Sequence, residues 1–226
     1  MPTFSLTLFD GHPIIHDGNS IILIDTGAPS TIHTANALNF CGQEYNCTTN
    51  FLGLTISTIT QMLGMEITTL LGADILSDFV VLFDYANKTV TFERETIDFE
   101  GNEIQFTTFQ SIPRVQLSVG ENTYSFFLDT GAKLSYLASN VTDGHETTGK
   151  LQDFYPGFGV FETDCFAIPT RIGDTTFQAN YGNLPALLQM TLMMGSVDGI
   201  IGYDFFATFQ VYIDFQNQRL KYRLSN

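Results

Sequence analysis

Two aspartates stand in the same tetrapeptide, 104 residues apart (129 − 25). Asp25-Thr26-Gly27-Ala28 and Asp129-Thr130-Gly131-Ala132 each follow an apolar run, Ile22-Leu23-Ile24 and Phe126-Phe127-Leu128. A carboxylate at the end of an apolar strand is costly to hold as an ion. The glycine two residues on lets the chain turn with no side chain in the way. The threonine hydroxyl is placed to bond backbone groups across the turn. One copy reads equally well as an ordinary strand-end turn. Two copies arise by chance in roughly one chain in a thousand, from average residue frequencies. Two carboxylates in one site cannot both ionise easily, so one keeps a proton while the other is charged. Such a pair supplies a general acid and a general base. Which aspartate plays which part is not written in the sequence.

Those aspartates sit inside a longer repeat. Residues 70–92 match residues 200–222 without a gap, pairing Gly72 with Gly202, Asp74 with Asp204, Phe79 with Phe209, Asp84 with Asp214 and Asn87 with Asn217. This second offset is 130, so the second copy carries 26 more residues between its blocks (130 − 104). A long period with two copies is a duplicated unit. The halves are expected at 1–105 and 106–226, joined through a polar, turn-forming stretch near 95–112. Short runs rich in Val, Ile, Thr and Phe, punctuated by Gly, Asn and Asp, read as strands and turns. Residues 4–25 read as strand, turn, strand, as do 114–129 around Val119-Gly120-Glu121-Asn122. Residues 84–92 and 214–222 read as hairpins closing each half. Helices should be few and short, with the segments 73–79 and 203–209 the best candidates.

The chain resembles the aspartic peptidases, the family that includes the pepsins and the retroviral proteases. The resemblance covers both halves. It rests on the two Asp-Thr-Gly-Ala tetrapeptides and on Leu70-Leu71-Gly72 and Ile200-Ile201-Gly202. It implies an all-β, bilobal acid-protease fold with pseudo-two-fold symmetry. It also implies Asp25 and Asp129 as the catalytic pair, on loops completed by Thr26, Gly27, Ala28, Thr130, Gly131 and Ala132. The threonines would tie the loops together, and the apolar-apolar-Gly strands would support them. Alanine after the glycine is the retroviral pattern, where pepsins usually carry Ser or Thr. In this family a water between the carboxylates attacks the scissile carbonyl, with no metal, cofactor or covalent intermediate.

Substrates of such enzymes lie extended between the lobes beneath a β-hairpin flap, a form of strand addition. Pepsins carry the flap in the first lobe, but here the extra residues fall in the second. The segment 150–166 offers Tyr155, Gly157, Phe158 and Gly159 as flap and substrate-binding residues: glycines for a mobile tip, aromatics to cover a peptide. Those aromatics read equally as core of a larger half. The first half offers only the shorter Asn50–Leu54.

Composition narrows the partners. Nine basic residues against 24 acidic ones give a net charge of −15, which excludes the clustered basic surface that nucleic acid or an anionic membrane requires. No apolar run is long enough to span a bilayer. The three cysteines, Cys41, Cys47 and Cys165, are too few for a disulfide framework, although Cys41 and Cys47 are near enough in sequence to pair. The N-terminal residues lack the basic and apolar regions of a signal peptide, so a cytoplasmic setting is expected. His16, His33 and His145 show no metal-ligand spacing and read as surface or turn residues. Met62, Met65, Met190, Met193 and Met194 read as core or cleft lining. The expected function is therefore an aspartic endopeptidase acting on polypeptide, for which a monomer suffices. The alternative is a non-catalytic peptide-binding or inhibitory protein on the same fold.

Overall fold

The computed structural model describes residues 2–155 and 158–225. It is mostly β-sheet. The first half runs β1 (Thr3–Ser5), β2 (Thr7–Phe9), β3 (His12–Asp17), β4 (Ser20–Ile24), β5 (Ile32–His33), β6 (Ala37–Phe40) and β7 (Gln43–Asn46). It continues through α1 (Ile56–Leu63), β8 (Thr69–Leu71), α2 (Ala73–Leu76), β9 (Val80–Asp84) and β10 (Thr89–Glu93). The second half follows the same order with one enlargement. It runs β11 (Asn102–Gln105), β12 (Thr107–Phe109), β13 (Ile112–Val119), β14 (Asn122–Leu128), β15 (Ser135–Leu137), α3 (Ser139–Thr142), β16 (Gly149–Tyr155), β17 (Gly159–Ile172) and β18 (Thr175–Gly182). It closes with α4 (Ala186–Met194), β19 (Gly199–Ile201), α5 (Tyr203–Thr208), β20 (Phe209–Asp214) and β21 (Arg219–Leu224).

One six-stranded sheet joins the halves, in the order β1-β10-β9-β20-β21-β11. The order reads the same from either end once each strand is exchanged for its counterpart. At the centre, β9 and β20 pair antiparallel: Val81 with Ile213, Leu82 with Tyr212, Phe83 with Val211. With the offset of 130, Leu82 faces its own counterpart, and Val81 and Phe83 face each other's. That is a self-complementary contact, the form a two-fold axis imposes. Each closing hairpin is built by the repeated Asp and Asn. Asp84 accepts from Asn87 N (3.0 Å) and Nδ2 (2.8 Å), and Asp214 accepts from Asn217 N (3.0 Å) and Nδ2 (2.8 Å).

The remaining strands form a sheet in each half. In the first, β4 lies parallel to β8, and β5 runs antiparallel on the other side of β8. In the second, β14 lies parallel to β19, with β15 antiparallel beyond it. Strands flanked on both sides read as continuous apolar runs, and Ile22–Ile24, Leu70–Leu71 and Ile200–Ile201 are all buried. A single core of Phe, Tyr, Ile and Leu runs through both halves; Phe83, Phe206 and Tyr85 meet in it from opposite halves.

The expected boundary at 105/106 falls just after β11, which pairs with β21 as β1 pairs with β10. Several expectations need correction. The stretch 95–112 is not simply a polar linker. Ile97 and Phe99 are buried against Val80 and Tyr212, and residues from 102 onward are already strand. Two apolar residues in a polar run gave too weak a periodic signal to register. Helices appear within 73–79 and 203–209, but α1 and α4 are longer, and neither had been singled out. Short helices are hard to tell from buried strands by pattern alone. All three cysteines are free thiols.

Candidate active site

Each aspartate is delivered by its strand and held by the strand beside it. Asp25 N donates to Leu71 O (2.9 Å), and Asp129 N donates to Ile201 O (3.0 Å). The following glycine closes the bracket. Gly72 N donates to Thr31 Oγ1 (2.9 Å) and Gly202 N to Ser135 Oγ (3.1 Å). Ala73 N then reaches Ala28 O (2.7 Å), and Tyr203 N reaches Ala132 O (2.9 Å). A side chain at either glycine would collide with that loop. A Cβ on Gly72 would lie 2.7 Å from the Ser30 carbonyl carbon, and one on Gly202 would strike Ala132 O. This is why the apolar-apolar-Gly blocks recur behind both aspartates.

Thr26 and Thr130 are buried and join the two loops reciprocally. Thr26 N donates to Thr130 Oγ1 and Thr130 N to Thr26 Oγ1, both at 3.0 Å. Each hydroxyl donates onward to the opposite strand, Thr26 to Leu128 O (2.7 Å) and Thr130 to Ile24 O (2.8 Å). Both backbone N–H groups and both hydroxyls of the pair are thereby satisfied away from water.

Above this junction the carboxyls meet. Gly27 N donates to Asp25 Oδ1 (2.9 Å), and Gly131 N donates to Asp129 Oδ1 (2.8 Å). Each carboxyl lies against the glycine of the opposite loop, Asp129 beside Gly27 and Asp25 beside Gly131. Burial raises both above the usual aspartate range, and the Asp25 charge adds to the rise at Asp129. The backbone donors at Gly27 and Gly131 pull the other way without cancelling it. The arrangement keeps a proton on the pair, shared between two acids that face one another.

The enlargement of the second half forms a long hairpin whose end lies near this site. In the first half, Ile32 bridges Thr48 in parallel; in the second, Ser135 pairs with Tyr181 in the same sense. Between those marks the first half has only the short β6–β7 hairpin. The second half adds the long β16–β17 hairpin, paired from Gly149↔Cys165 to Tyr155↔Gly159. Tyr155 ends β16 close enough to Asp129 and Asp25 for their charges to help raise its pKa, which burial dominates. Its ring packs against the cluster that holds Leu188 and Leu192 of α4. Phe158 and Gly159 follow at the turn, and Gly157 lies outside the described residues. The first half's Asn50–Leu54 is a tight turn closed by Phe51 and Leu54, with Leu52 at its exposed tip.

Three residues that bear on the site had no signal in the sequence. His12 is buried, its ring stacked on Phe154 of the hairpin at 6.0 Å, and its charge is felt at Asp25. Phe154 thereby packs against the apolar cluster of the opposite half. Asp153, beside it, is buried and accepts from the Tyr136 hydroxyl; Lys133 Nζ stands 3.9 Å away and bonds Asp10 of the first half at 2.9 Å. His12, Lys133 and Asp153 come from distant parts of the chain, so no spacing could announce them. Met190, Met193 and Met194 are exposed rather than lining core or cleft. Among the described residues, no group of three His, Cys, Asp or Glu side chains is placed to hold a metal ion, and no helix is long and apolar enough to cross a membrane. No family model matches the chain, and no curated protein matches it by sequence.

Proposed function

We propose that the chain is an aspartic endopeptidase of single-chain, two-lobed form, with a pepsin-like or retropepsin-like fold and Asp25 and Asp129 as its catalytic residues. The observation that carries this reading is the meeting of the two carboxyls over the reciprocal Thr26–Thr130 bonds. A pair that keeps one proton presents a base and an acid to the same small volume. A water held between them gives a proton to the charged carboxylate as its oxygen attacks the scissile carbonyl carbon. The protonated carboxyl donates to the carbonyl oxygen as it gains charge. In the collapse of the tetrahedral intermediate, the C–N bond breaks and the nitrogen takes a proton from the pair. The chemistry is a hydrolysis and is balanced by that one water.

In this reading the β16–β17 hairpin is the flap, and an extended polypeptide would be gripped between it and the aspartate loops; the nearness of Tyr155 to both aspartates supports it. Backbone pairing along such a hairpin gives affinity with little regard to sequence. Opening and closing of the hairpin would admit substrate and then exclude water.

The test is cleavage of reduced, alkylated casein across acid to neutral pH by wild type and by Asp129→Asn. Fragments from wild type alone, suppressed by a statine-type inhibitor, are the expected result. A folded wild type that binds the inhibitor yet cuts nothing at any pH would make the protein a peptide-binding module instead.

A further inference from the structure

α1 and α4 occupy equivalent places, each leading into the strand that supports its half's aspartate. Their buried faces match: Ile56, Ile59 and Leu63 on α1, Leu188 and Leu192 on α4. Their outer faces do not. α1 presents Ser57 and Gln61 to solvent, whereas α4 presents Leu187, Met190, Met193 and Met194 at 64, 59, 77 and 73% exposure. The fold therefore does not require an apolar outer face at this position. No residue of α4 is charged. Gln189 and Thr191 are its polar residues, and the four large apolar side chains outnumber them on the outer face; a contiguous apolar patch of this kind marks an interaction surface.

The patch adjoins the long hairpin. Tyr155, at the end of β16, packs against the cluster that holds Leu188 and Leu192 of α4. Leu188 and Leu192 pack with Phe161 of the hairpin, on which the exposed Phe158 ring stacks edge-on at 6.1 Å.

We infer that the outer face of α4, with Phe158 beside it, is an exosite for apolar side chains of an unfolded polypeptide substrate, engaged outside the cleft. This deepens the peptidase reading and rests on it. Methionine side chains suit such an occupant, because they are flexible, polarizable and able to repack around varied sequences. Charge argues against the other occupants. Two copies each carrying −15 repel one another, and so does an anionic membrane surface. A flexible unfolded chain, whatever its net charge, can present a locally basic or uncharged apolar segment, and that segment finds its uncharged contact on α4.

The experiment compares wild type with a Met190→Glu/Met193→Glu double variant on two substrates. One is reduced, alkylated casein; the other is an eight-residue peptide spanning one casein bond that wild type cuts. The expected result is a roughly 10-fold or larger loss of kcat/KM on casein, through KM, since tenfold corresponds to about 1.4 kcal/mol of lost burial. Cleavage of the peptide should be unchanged. Equal constants on both substrates, or equal losses on both, would overturn the exosite. So would sedimentation showing a wild-type dimer that the variant dissolves, or α4-dependent flotation with phosphatidylcholine vesicles. If wild type cuts neither substrate, the peptidase reading fails by itself. The exosite is then judged by fluorescence anisotropy with labelled, unfolded casein: weaker binding by the variant supports it, and equal binding overturns it.

Discussion

Thr26 and Thr130, on opposite halves of the chain, each donate a backbone N–H to the other's hydroxyl at 3.0 Å. Each hydroxyl then donates to the strand that delivers the other's aspartate. Removing one hydroxyl orphans a buried N–H and a buried carbonyl together, and each orphaned group costs about 1–3 kcal/mol. Thr26→Ala and Thr130→Ala should each lose about 2–5 kcal/mol of stability on that basis, measured by urea unfolding. Thr→Ser at either site keeps the bonds and should lose far less. Equal losses for Ala and Ser would mean that the methyl group's packing, rather than the hydroxyl, holds the junction.

The shared proton of Asp25 and Asp129 makes stability depend on pH. Burial raises the folded pair above the ordinary aspartate value. A raised carboxyl contributes stability that is fully present below the unfolded pKa of about 3.9 and lost as pH rises through the folded values. Asparagine cannot ionise, so Asp129→Asn should gain in thermal stability over wild type as pH is raised from acid toward neutral. Tm of both proteins across that range measures it. A difference that stays flat, or shrinks toward neutral pH, would contradict the raised pair.

Gly27 and Gly131 are packed against the carboxyl of the opposite half. A Cβ on Gly27 would overlap the Asp129 carboxyl, and one on Gly131 would lie 2.6 Å from Asp25 Cγ. Gly27→Ala and Gly131→Ala should each push the carboxyls apart. If the pair is catalytic, activity should fall at least 100-fold, the order of loss that a displacement of about 1 Å causes. Steady-state cleavage of a peptide by the folded variants reads this directly, and near-normal kcat would count against the pair.

Tyr136 holds the long hairpin near its turn end through the buried carboxylate of Asp153. Burial and that neighbouring carboxylate both push the phenol's pKa upward, so its proton stays in the bond. Tyr136→Phe deprives Asp153 of this donor and leaves it with Phe154 N and a distant Lys133. The cost should be about 1–3 kcal/mol. Faster backbone hydrogen exchange along 149–155 should accompany it, because the hairpin's anchor is loosened. Unchanged exchange there would remove Asp153 from that role.

Tyr85 gives the opposite sign. Its hydroxyl is buried and has no hydrogen-bond partner, and at the equivalent position the second half carries Phe215. Tyr85→Phe removes an unsatisfied group while keeping the ring stacked on Phe206, so stability should rise by about 1 kcal/mol. A loss of that size in urea unfolding would show that the hydroxyl has a partner after all.

The sequence by itself determined the all-β character, the duplication and the two aspartate loops. Each of these is a local pattern: alternating apolar runs, a repeated tetrapeptide, and a glycine where a neighbouring loop leaves no room. It also placed the enlargement in the second half, because an insertion between two matched blocks can be counted. Tertiary structure alone decided what the insertion does. Gly149–Ile172 becomes a hairpin reaching the aspartates because Phe154 finds His12 and the apolar cluster of the other half. That contact spans more than a hundred residues and has no period. The position of β11 was hidden for the same reason, since its partner β21 lies at the far end of the chain. Met190, Met193 and Met194 look like core in a sequence, where apolar residues imply burial. Only the packing of α4, whose buried side is already filled by Leu188 and Leu192, turns them outward.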